Sequence, residues 1–404
     1  MRDNSLTWPA LKTETRQWRS EINPDLISRG RLAAINGPYE AALPASISEL
    51  VPTVSHKVAS AAEDAAVALV RFDSEVGMLT APFASILLRS ESASSSQIEN
   101  LTAGARAIAE AELGERDSGN GRQIVRNVRA MQAALALSEN IDDASVIAMH
   151  AALMEDEHPD MTGHFRAEQV WIGKSTLSPR DASFIPPHQD RVGDAMRDLS
   201  RFIARTDIPV LTHAAIAHAQ FETIHPFPDG NGRTGRAIVQ AMLRRGGLTT
   251  HVTVPVSAGL LADIKLYFDA LGAYRRGDID DIVQIFSDAT FIAIENGRRL
   301  ASDVEAVQAD WQQRLHGLRS DSSARRLAEI ALEQPVLNAE VAQTRLSVSK
   351  PVAYQALAVL TERGILHTTS SRKRNQIWIA DDLIAVLDAF AARIARRGQA
   401  RASR

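Results

Sequence analysis

Twelve consecutive residues, His225-Pro226-Phe227-Pro228-Asp229-Gly230-Asn231-Gly232-Arg233-Thr234-Gly235-Arg236, constrain this chain more than any other stretch. The apolar periodicity of Leu211–Ile224 predicts a helix that Pro226 helps to end. Ala237–Arg245 has the spacing and composition of a second helix, so the stretch is a loop running into a helix N-terminus. Gly230 and Gly232 can take positive φ at little cost, which lets successive N–H groups point to one side. Such a nest at a helix start attracts anions through unpaired donors and the helix dipole. Arg233 and Arg236, three apart, can clamp further phosphate oxygens from the first turn. Asp229 offers a hard oxygen suited to Mg²⁺, and His225 an imidazole suited to a general base near neutral pH. Together these residues describe a site for a nucleotide polyphosphate–Mg²⁺ complex beside a base able to take a proton from a hydroxyl. A Walker loop is excluded, because the G-K-S/T ending is missing.

The stretch resembles the signature of the Fic (filamentation induced by cAMP) family, H-P-F-x-D/E-G-N-G-R-x-x-R, at every defined position. Members of that family typically transfer AMP from ATP to a hydroxyl side chain of a target protein. The resemblance implies that His225 deprotonates a target Tyr, Ser or Thr hydroxyl and that Phe227 anchors the loop. It further implies that Asp229 binds Mg²⁺, that Gly230, Asn231 and Gly232 hold the α- and β-phosphates, and that Arg233 and Arg236 steady the outer phosphates. The substrates implied are ATP and Mg²⁺.

Bulk properties fit that expectation without forcing it. The chain has 404 residues, 45% hydrophobic and 23% charged, with a net charge of −4, the balance of an ordinary globular protein of two or three domains. It contains no cysteine, which excludes disulfides and thiolate metal sites. The first residues lack the basic-then-apolar order of a signal peptide, and no apolar run approaches the roughly 18–20 residues of a membrane span. The expectation is a soluble, cytoplasmic protein with no membrane partner.

Residues 1–60 are mixed in pattern, with Trp8 and Trp18 read as packing residues and Pro38–Pro44 resembling the extension that precedes many Fic cores. Val58–Val76 and Pro82–Leu88 read as helices, and the serines from Ser94 to Ser96 as a cap opening a further one. Composition makes this a capped helix and nothing more. In the family, however, S/T-x-x-x-E-G/N marks an inhibitory helix, and Ser95-x-x-x-Glu99-Asn100 fits it. The implied brake is electrostatic: Glu99 takes the Arg236 guanidinium that the outer phosphate needs.

Ile124–Leu137, Asp143–Leu153, Asp190–Arg205 and Ile208–Ile224 read as core helices, with His150 a packed residue on the second. Phe165-Arg166, Val170–Gly173 and Ala182–Pro187 read as short extended segments resembling the family's β-hairpin flap, which holds a target strand edge to edge. His213, His218 and Glu222 could suggest a metal cluster, but helix-face residues at that spacing are read as hydrogen-bonded packing. Leu261–Leu271 and Ile279–Glu295 continue the core, and Asn296–Asp310 continues into a connector. The resemblance points to Asp263 and Tyr267 for the nucleobase, with a departure. Relatives often carry an Asn six residues after the position of Ser257, and two tyrosines where this chain has Tyr267-Phe268. An ionised Asp263 accepts but cannot donate a hydrogen bond.

Residues 321–404 carry 13 Lys+Arg against 8 Asp+Glu, a local balance of +5. Ala324–Leu332, Leu337–Gln343 and Ser349–Arg363 read as three helices, with Ser349 as a cap, followed by Ile365–Thr369 and Gln376–Ile379 as strands. This order resembles a winged helix-turn-helix. Two readings stay open: DNA binding, with Ser347, Ser349, Lys350 and Tyr354 at a groove and Arg372, Lys373 and Arg374 on phosphate, or a protein-interaction module.

The expected fold is mainly α: a Fic-type helical core with a β-hairpin flap, plus the C-terminal winged helix. The expected division is a helical extension over 1–94, the core with its inhibitory helix over 95–300, a connector over 301–320 and the winged helix with a basic tail over 321–404. The expected function is protein adenylyltransferase, with a target protein as partner, self-modification, and a homodimer compatible with the sequence. The alternatives are a DNA-binding regulator whose core senses nucleotide, or an enzyme of the same fold that removes AMP or moves another phosphate-containing group.

Overall fold

The structure is a computed structural model and describes residues 8–79, 83–115, 119–156, 158–173, 177–368 and 376–402. It is mainly helical, with two small antiparallel sheets. The elements form two compact units, each assembled from separated stretches of chain. One holds Met1–Ala66, Ala130–Gly246 and Lys265–Ser287; the other holds Val67–Arg129, Gly247–Ile264 and Asp288–Arg404. The sequential division expected from the sequence therefore differs from the spatial one.

In the first unit, the Val210–Ile224 helix is buried along its length from Leu211 to Ile224. A helix apolar all round belongs inside a core. Its polar side chains are paired there: His213 Nε2 with the Phe202 carbonyl at 2.9 Å, His218 Nε2 with the Tyr267 hydroxyl at 2.7 Å, and the Tyr274 hydroxyl with Gln220 Oε1 at 2.8 Å. These bonds remove the cost of burying polar groups, and they give His213 and His218 packing roles. The Asn231–Arg245 helix lies against it, starting six residues earlier than its apolar periodicity predicts. The Asp143–Met154 helix starts at Asp142, whose carboxylate accepts from Ser145 N at 2.9 Å.

The N-terminal extension expected to be helical holds helices Arg29–Ile35, His56–Gly77 and the start of Phe83–Ile98, and also a strand pair. Lys12–Trp18 and Gly37–Leu43 form an antiparallel ribbon, Lys12 opposite Leu43 and Trp18 opposite Gly37. Trp8 packs on Phe202 and Tyr274, with ring centroids 6.4 and 6.1 Å away. Trp18 meets Trp171 edge to face at 5.1 Å. Among the described residues of the flap region, Ile172 and Phe184 form an antiparallel bridge and Pro179–Asp181 a 3₁₀ turn.

In the second unit, Phe83–Ile98 is one helix, so the serines do not open a helix but lie in its last turns. Their chemistry explains this: Ser90, Ser92 and Ser96 donate to the carbonyls of Ile86, Leu88 and Ser92 at 2.9, 2.9 and 2.8 Å. Back-bonding of this kind satisfies a buried hydroxyl without ending the helix. Asn127 Nδ2 adds a bond to the Ser92 carbonyl at 2.8 Å. The Glu91 carboxylate grips the start of the Val256–Leu261 helix, accepting from Ser257 N at 2.9 Å and Ser257 Oγ at 2.6 Å.

The connector is helical, because Asp280–Arg314 runs on without a break. Beyond it come helices Ser323–Glu333, Ala339–Leu346 and Lys350–Glu362 and a sheet in the order Val336–Asn338, Ile377–Ile379, His367–Thr368. The strand at Val336–Asn338 occupies residues read from sequence as the start of a helix. It ends on Asn338, whose side chain caps Val341 N at 2.9 Å. Ser349 stands at the N-cap position of the Lys350–Glu362 helix, but its side chain makes no capping bond.

Candidate functional site

The site is built where the buried Val210–Ile224 helix stops. His225 takes left-handed backbone angles, φ 52° and ψ 62°, while its N–H still bonds to the Phe221 carbonyl at 2.8 Å. A non-glycine residue in that region is strained and is held by its surroundings. Arg166 does the holding. Its backbone N–H donates to the Pro226 carbonyl at 2.9 Å, its Nε to the His225 carbonyl at 2.8 Å and its Nη2 to the Pro187 carbonyl at 2.6 Å.

The His225 ring is set electrically as well as sterically. Burial, then the charges of Arg166 and Arg275, lower its pKa to about 3, so the imidazole is neutral at physiological pH. Nδ1 is buried without a hydrogen bond, 3.9 Å from Glu222 Oε2. The accessible part of the ring therefore lies towards Nε2.

Phe227 is fully buried against His150, Phe165 and Phe221. Asn231 closes the loop on itself: its Oδ1 accepts from Phe227 N at 2.9 Å and its Nδ2 donates to the Phe227 carbonyl at 2.8 Å. The amide of Asn231 is thus committed to loop geometry, and its contribution toward an anion falls to its backbone N–H. Gly230 has φ 78°, and a Cβ there would stand 3.0 Å from Leu153. The first intrahelical bond is Thr234 N to the Gly230 carbonyl at 3.0 Å. The N–H groups of Asn231, Gly232 and Arg233 therefore have no carbonyl of their own helix to meet.

Asp229 is 65% exposed at its side chain; its Oδ1 accepts from Gly230 N at 2.6 Å and its Oδ2 lies 3.7 Å from Arg233. An exposed carboxylate oxygen at the mouth of an N–H nest fits a cation that arrives with phosphate and keeps several waters. Arg233 and Arg236 are 6% and 2% exposed, so both guanidinium groups sit at the buried base of the loop. Among the described residues no group of three or more His, Cys, Asp or Glu is placed to hold a metal by itself.

Two supporting residues escaped the sequence reading. His150, read only as a packed residue, stacks on Phe227 and bonds through Nε2 to the Asp229 carbonyl at 3.0 Å. Gly235 falls on a variable position of the signature, yet a Cβ there would stand 2.9 Å from Phe221 Cδ1 and 3.1 Å from His218 Nδ1. No periodicity marks either. A buried His on an apolar helix and a glycine inside a helix are the faint signals available.

The remaining predicted residues lie elsewhere. Tyr267 is 1% exposed with its hydroxyl on His218, whereas Asp263 belongs to the second unit. Ser95 is buried near the end of the Phe83–Ile98 helix. Glu99 is exposed just beyond it, its N–H on the Ser96 carbonyl at 3.0 Å, and Asn100 turns the chain with φ 62°. Lys350 is exposed at the first position of its helix, and Tyr354 is 38% exposed. Arg372, Lys373 and Arg374 lie outside the described residues.

Fold and loop together define a helical protein in which a glycine-containing loop enters a helix N-terminus beside a neutral histidine. Comparison with known proteins names the family. The Fic/DOC family profile matches residues 140–243, and that of the Fic/DOC family N-terminal region matches residues 59–136. Over these residues the chain matches the Fic/DOC family, in its N-terminal region and in its main domain. A Fic family protein from Desulfovibrio desulfuricans G20 shares the fold with a TM-score of 0.50 at 23% identity, over 81% of this chain and 97% of that one. Protein adenylyltransferase Fic of Nematostella vectensis is 27% identical over 157 residues, covering 38% of this chain and 33% of its own. Protein adenylyltransferase fic-1 of Caenorhabditis elegans is 29% identical over 145 residues, covering 36% and 26%. The chain thus spans a third or less of the length of these curated relatives. No helix among the described residues is long and apolar enough to cross a membrane.

Proposed function

We propose that the chain is a protein adenylyltransferase acting on Mg·ATP and a hydroxyl of a target protein. The observation that carries this is the join at His225: a neutral imidazole on a left-handed cap, six residues before the start of a helix whose first N–H groups have no partner in their own helix. The acceptor oxygen bonds to the α-phosphorus, the bond from that phosphorus to the bridging oxygen breaks, and pyrophosphate leaves. The hydroxyl proton passes to His225 Nε2, the accessible ring nitrogen. The nest of Asn231, Gly232 and Arg233 N–H groups, with the Arg233 and Arg236 side chains, stabilises charge on the phosphates. Asp229 would hold Mg²⁺, which neutralises phosphate charge when bound.

The segment from Ser95 to Asn100 is the brake in this reading, with Glu99 competing with the outer phosphate for Arg236. Its support is the Ser95-x-x-x-Glu99-Asn100 pattern and the fixed turn that presents Glu99 immediately after a buried helix end. Intact-protein mass spectrometry tests both parts. Incubation with Mg·ATP adds an AMP mass to the chain, more in Glu99→Gly and none once His225→Ala is introduced. An AMP mass retained in the His225→Ala chain removes the assigned base, and equal labelling with and without Glu99 removes the brake.

A second reading has one observation in its favour: the +5 C-terminal region carries three helices and a three-stranded sheet, followed by a fourth helix over Asp381–Ala402. In it the region is a winged helix on DNA and the Fic core senses nucleotide. It requires salt-dependent duplex binding that changes with ATP, and it forms no covalent product.

A further inference from the structure

Arg275 is a half-buried cation that takes no direct part in the transfer chemistry above. It ends the Ile264–Arg275 helix, and its carbonyl accepts from Leu11 N at 2.8 Å, which fixes the backbone. Its guanidinium lies 3.5 Å from the centre of the Phe184 ring. Phe184 is the residue bridged to Ile172, through Ile172 N to the Phe184 carbonyl at 2.8 Å and Phe184 N to the Ile172 carbonyl at 3.1 Å. The cation therefore sits against the extended segments, on the ring of a bridged residue.

A guanidinium carries five donors. Here one long contact is made, Nη2 to the Glu222 carbonyl at 3.4 Å, while Nε is buried without a partner. Burial lowers the pKa to about 10, which leaves the group charged at neutral pH, and the Glu222 charge acts in the opposite direction. That carboxylate is turned to His225, with Oε2 3.9 Å from Nδ1. Glu222 thus stands between the two: its backbone meets Arg275 and its side chain meets the imidazole. A half-buried guanidinium with a buried, unpartnered Nε and so few bonds has donors left to offer a ligand.

Phosphate is already provided for, since the nest and the two arginines of the Asn231–Arg245 helix lie on the other side of the His225 turn in sequence. We propose that Arg275 is a specificity-determining residue that binds an acidic side chain of the acceptor segment, close to the hydroxyl that His225 deprotonates. The stack on Phe184 holds the guanidinium plane, so its N–H edges are presented in a fixed direction, as bidentate recognition of a carboxylate requires. This inference rests on the transferase reading.

The test is a positional-scanning library of immobilised Ser, Thr and Tyr peptides, labelled from α-³²P-ATP by the Glu99→Gly chain. Peptides with Asp or Glu at one position near the hydroxyl should gain about tenfold in label over neutral ones. Arg275→Gln should erase that preference, and Arg275→Glu should turn it towards Lys and Arg at the same position. Far-UV circular dichroism and Mg·ADP binding serve as the fold check for both variants. Label that ignores acidic residues, or an acid preference that survives Arg275→Gln, overturns the proposal. An unchanged preference with a raised KM for Mg·ATP in Arg275→Gln also overturns it, by assigning the guanidinium to the nucleotide. No label on any peptide overturns the transferase reading itself, and is distinguished from the other outcomes by that blank.

Discussion

His150 lies flat on Phe227, ring centroids 3.7 Å apart and planes within 1° of parallel, while its Nε2 reaches the Asp229 carbonyl at 3.0 Å. Because a carbonyl only accepts, the proton is on Nε2, and the buried Nδ1 stays bare. One side chain thus supports both the anchor of the loop and the carbonyl next to its exposed carboxylate.

Replacing His150 separates these two contributions. His150→Ala loses the stack and the hydrogen bond and should cost about 3 kcal/mol in urea unfolding. His150→Phe keeps an aromatic ring against Phe227 but leaves the Asp229 carbonyl unpaired, for about 1–3 kcal/mol. Both should weaken Mg·ADP binding measured by calorimetry. Wild-type affinity in the Ala variant would mean the loop holds its shape without this residue.

Glycines that look alike in the sequence should respond with opposite signs. Gly235→Ala drives a Cβ to 2.9 Å from Phe221 Cδ1 and 3.2 Å from Glu222 Oε1, so overpacking should cost about 1–3 kcal/mol. Gly193, inside the Gln189–Ile203 helix, faces only the flexible end of Arg197 at 3.6 Å. Gly193→Ala should therefore stabilise the chain by about 0.5–1 kcal/mol. Melting temperatures that shift the same way in both variants would contradict the packing argument.

The loop and its flanking helices were legible because their signals are local: an apolar stripe, a proline, paired glycines and spaced arginines. What stayed hidden depends on partners distant in sequence. The ribbon strand Lys12–Trp18 is polar on both sides, so it shows no alternation, and only its pairing with Gly37–Leu43 reveals it. The serines of the Phe83–Ile98 helix read as a cap because serine favours caps. Their bonds to carbonyls four residues back, in a buried setting, overrode that preference. His150 and Gly235 owe their roles to residues 77 and 14 positions away, Phe227 and Phe221, which no window of the sequence joins.

Glu91 gives a stability prediction in the second unit. Its carboxylate meets both Ser257 N and Ser257 Oγ in a buried setting. Glu91→Ala should cost about 2–4 kcal/mol, since two donors lose their acceptor. Glu91→Gln keeps one carbonyl oxygen and should cost less. Chemical denaturation followed by circular dichroism orders the three chains, and a Gln variant weaker than the Ala variant would rule out the capping role.

Four histidines of the first unit should make it sensitive to mild acid. Burial lowers the pKa of His150 and His213 to about 4 and of His218 and His225 to about 3, against about 6.5 in an unfolded chain. Between pH 6.5 and 4 the unfolded state binds protons that the folded state does not, so stability rises with pH in that window and is lost as pH falls. Each group contributes up to about 1.4 kcal/mol per pH unit there. Urea midpoints should be level above pH 7 and fall steeply from 6.5 to 4.5, before the carboxylates titrate. His218→Gln, which can keep a bond to the Tyr267 hydroxyl, should make the slope shallower while costing stability at pH 7. A midpoint that stays level down to pH 5 would mean that these imidazoles take up protons in the folded chain. His225 would then be cationic below neutrality, and transfer activity would fall with its ordinary pKa instead of persisting into acid.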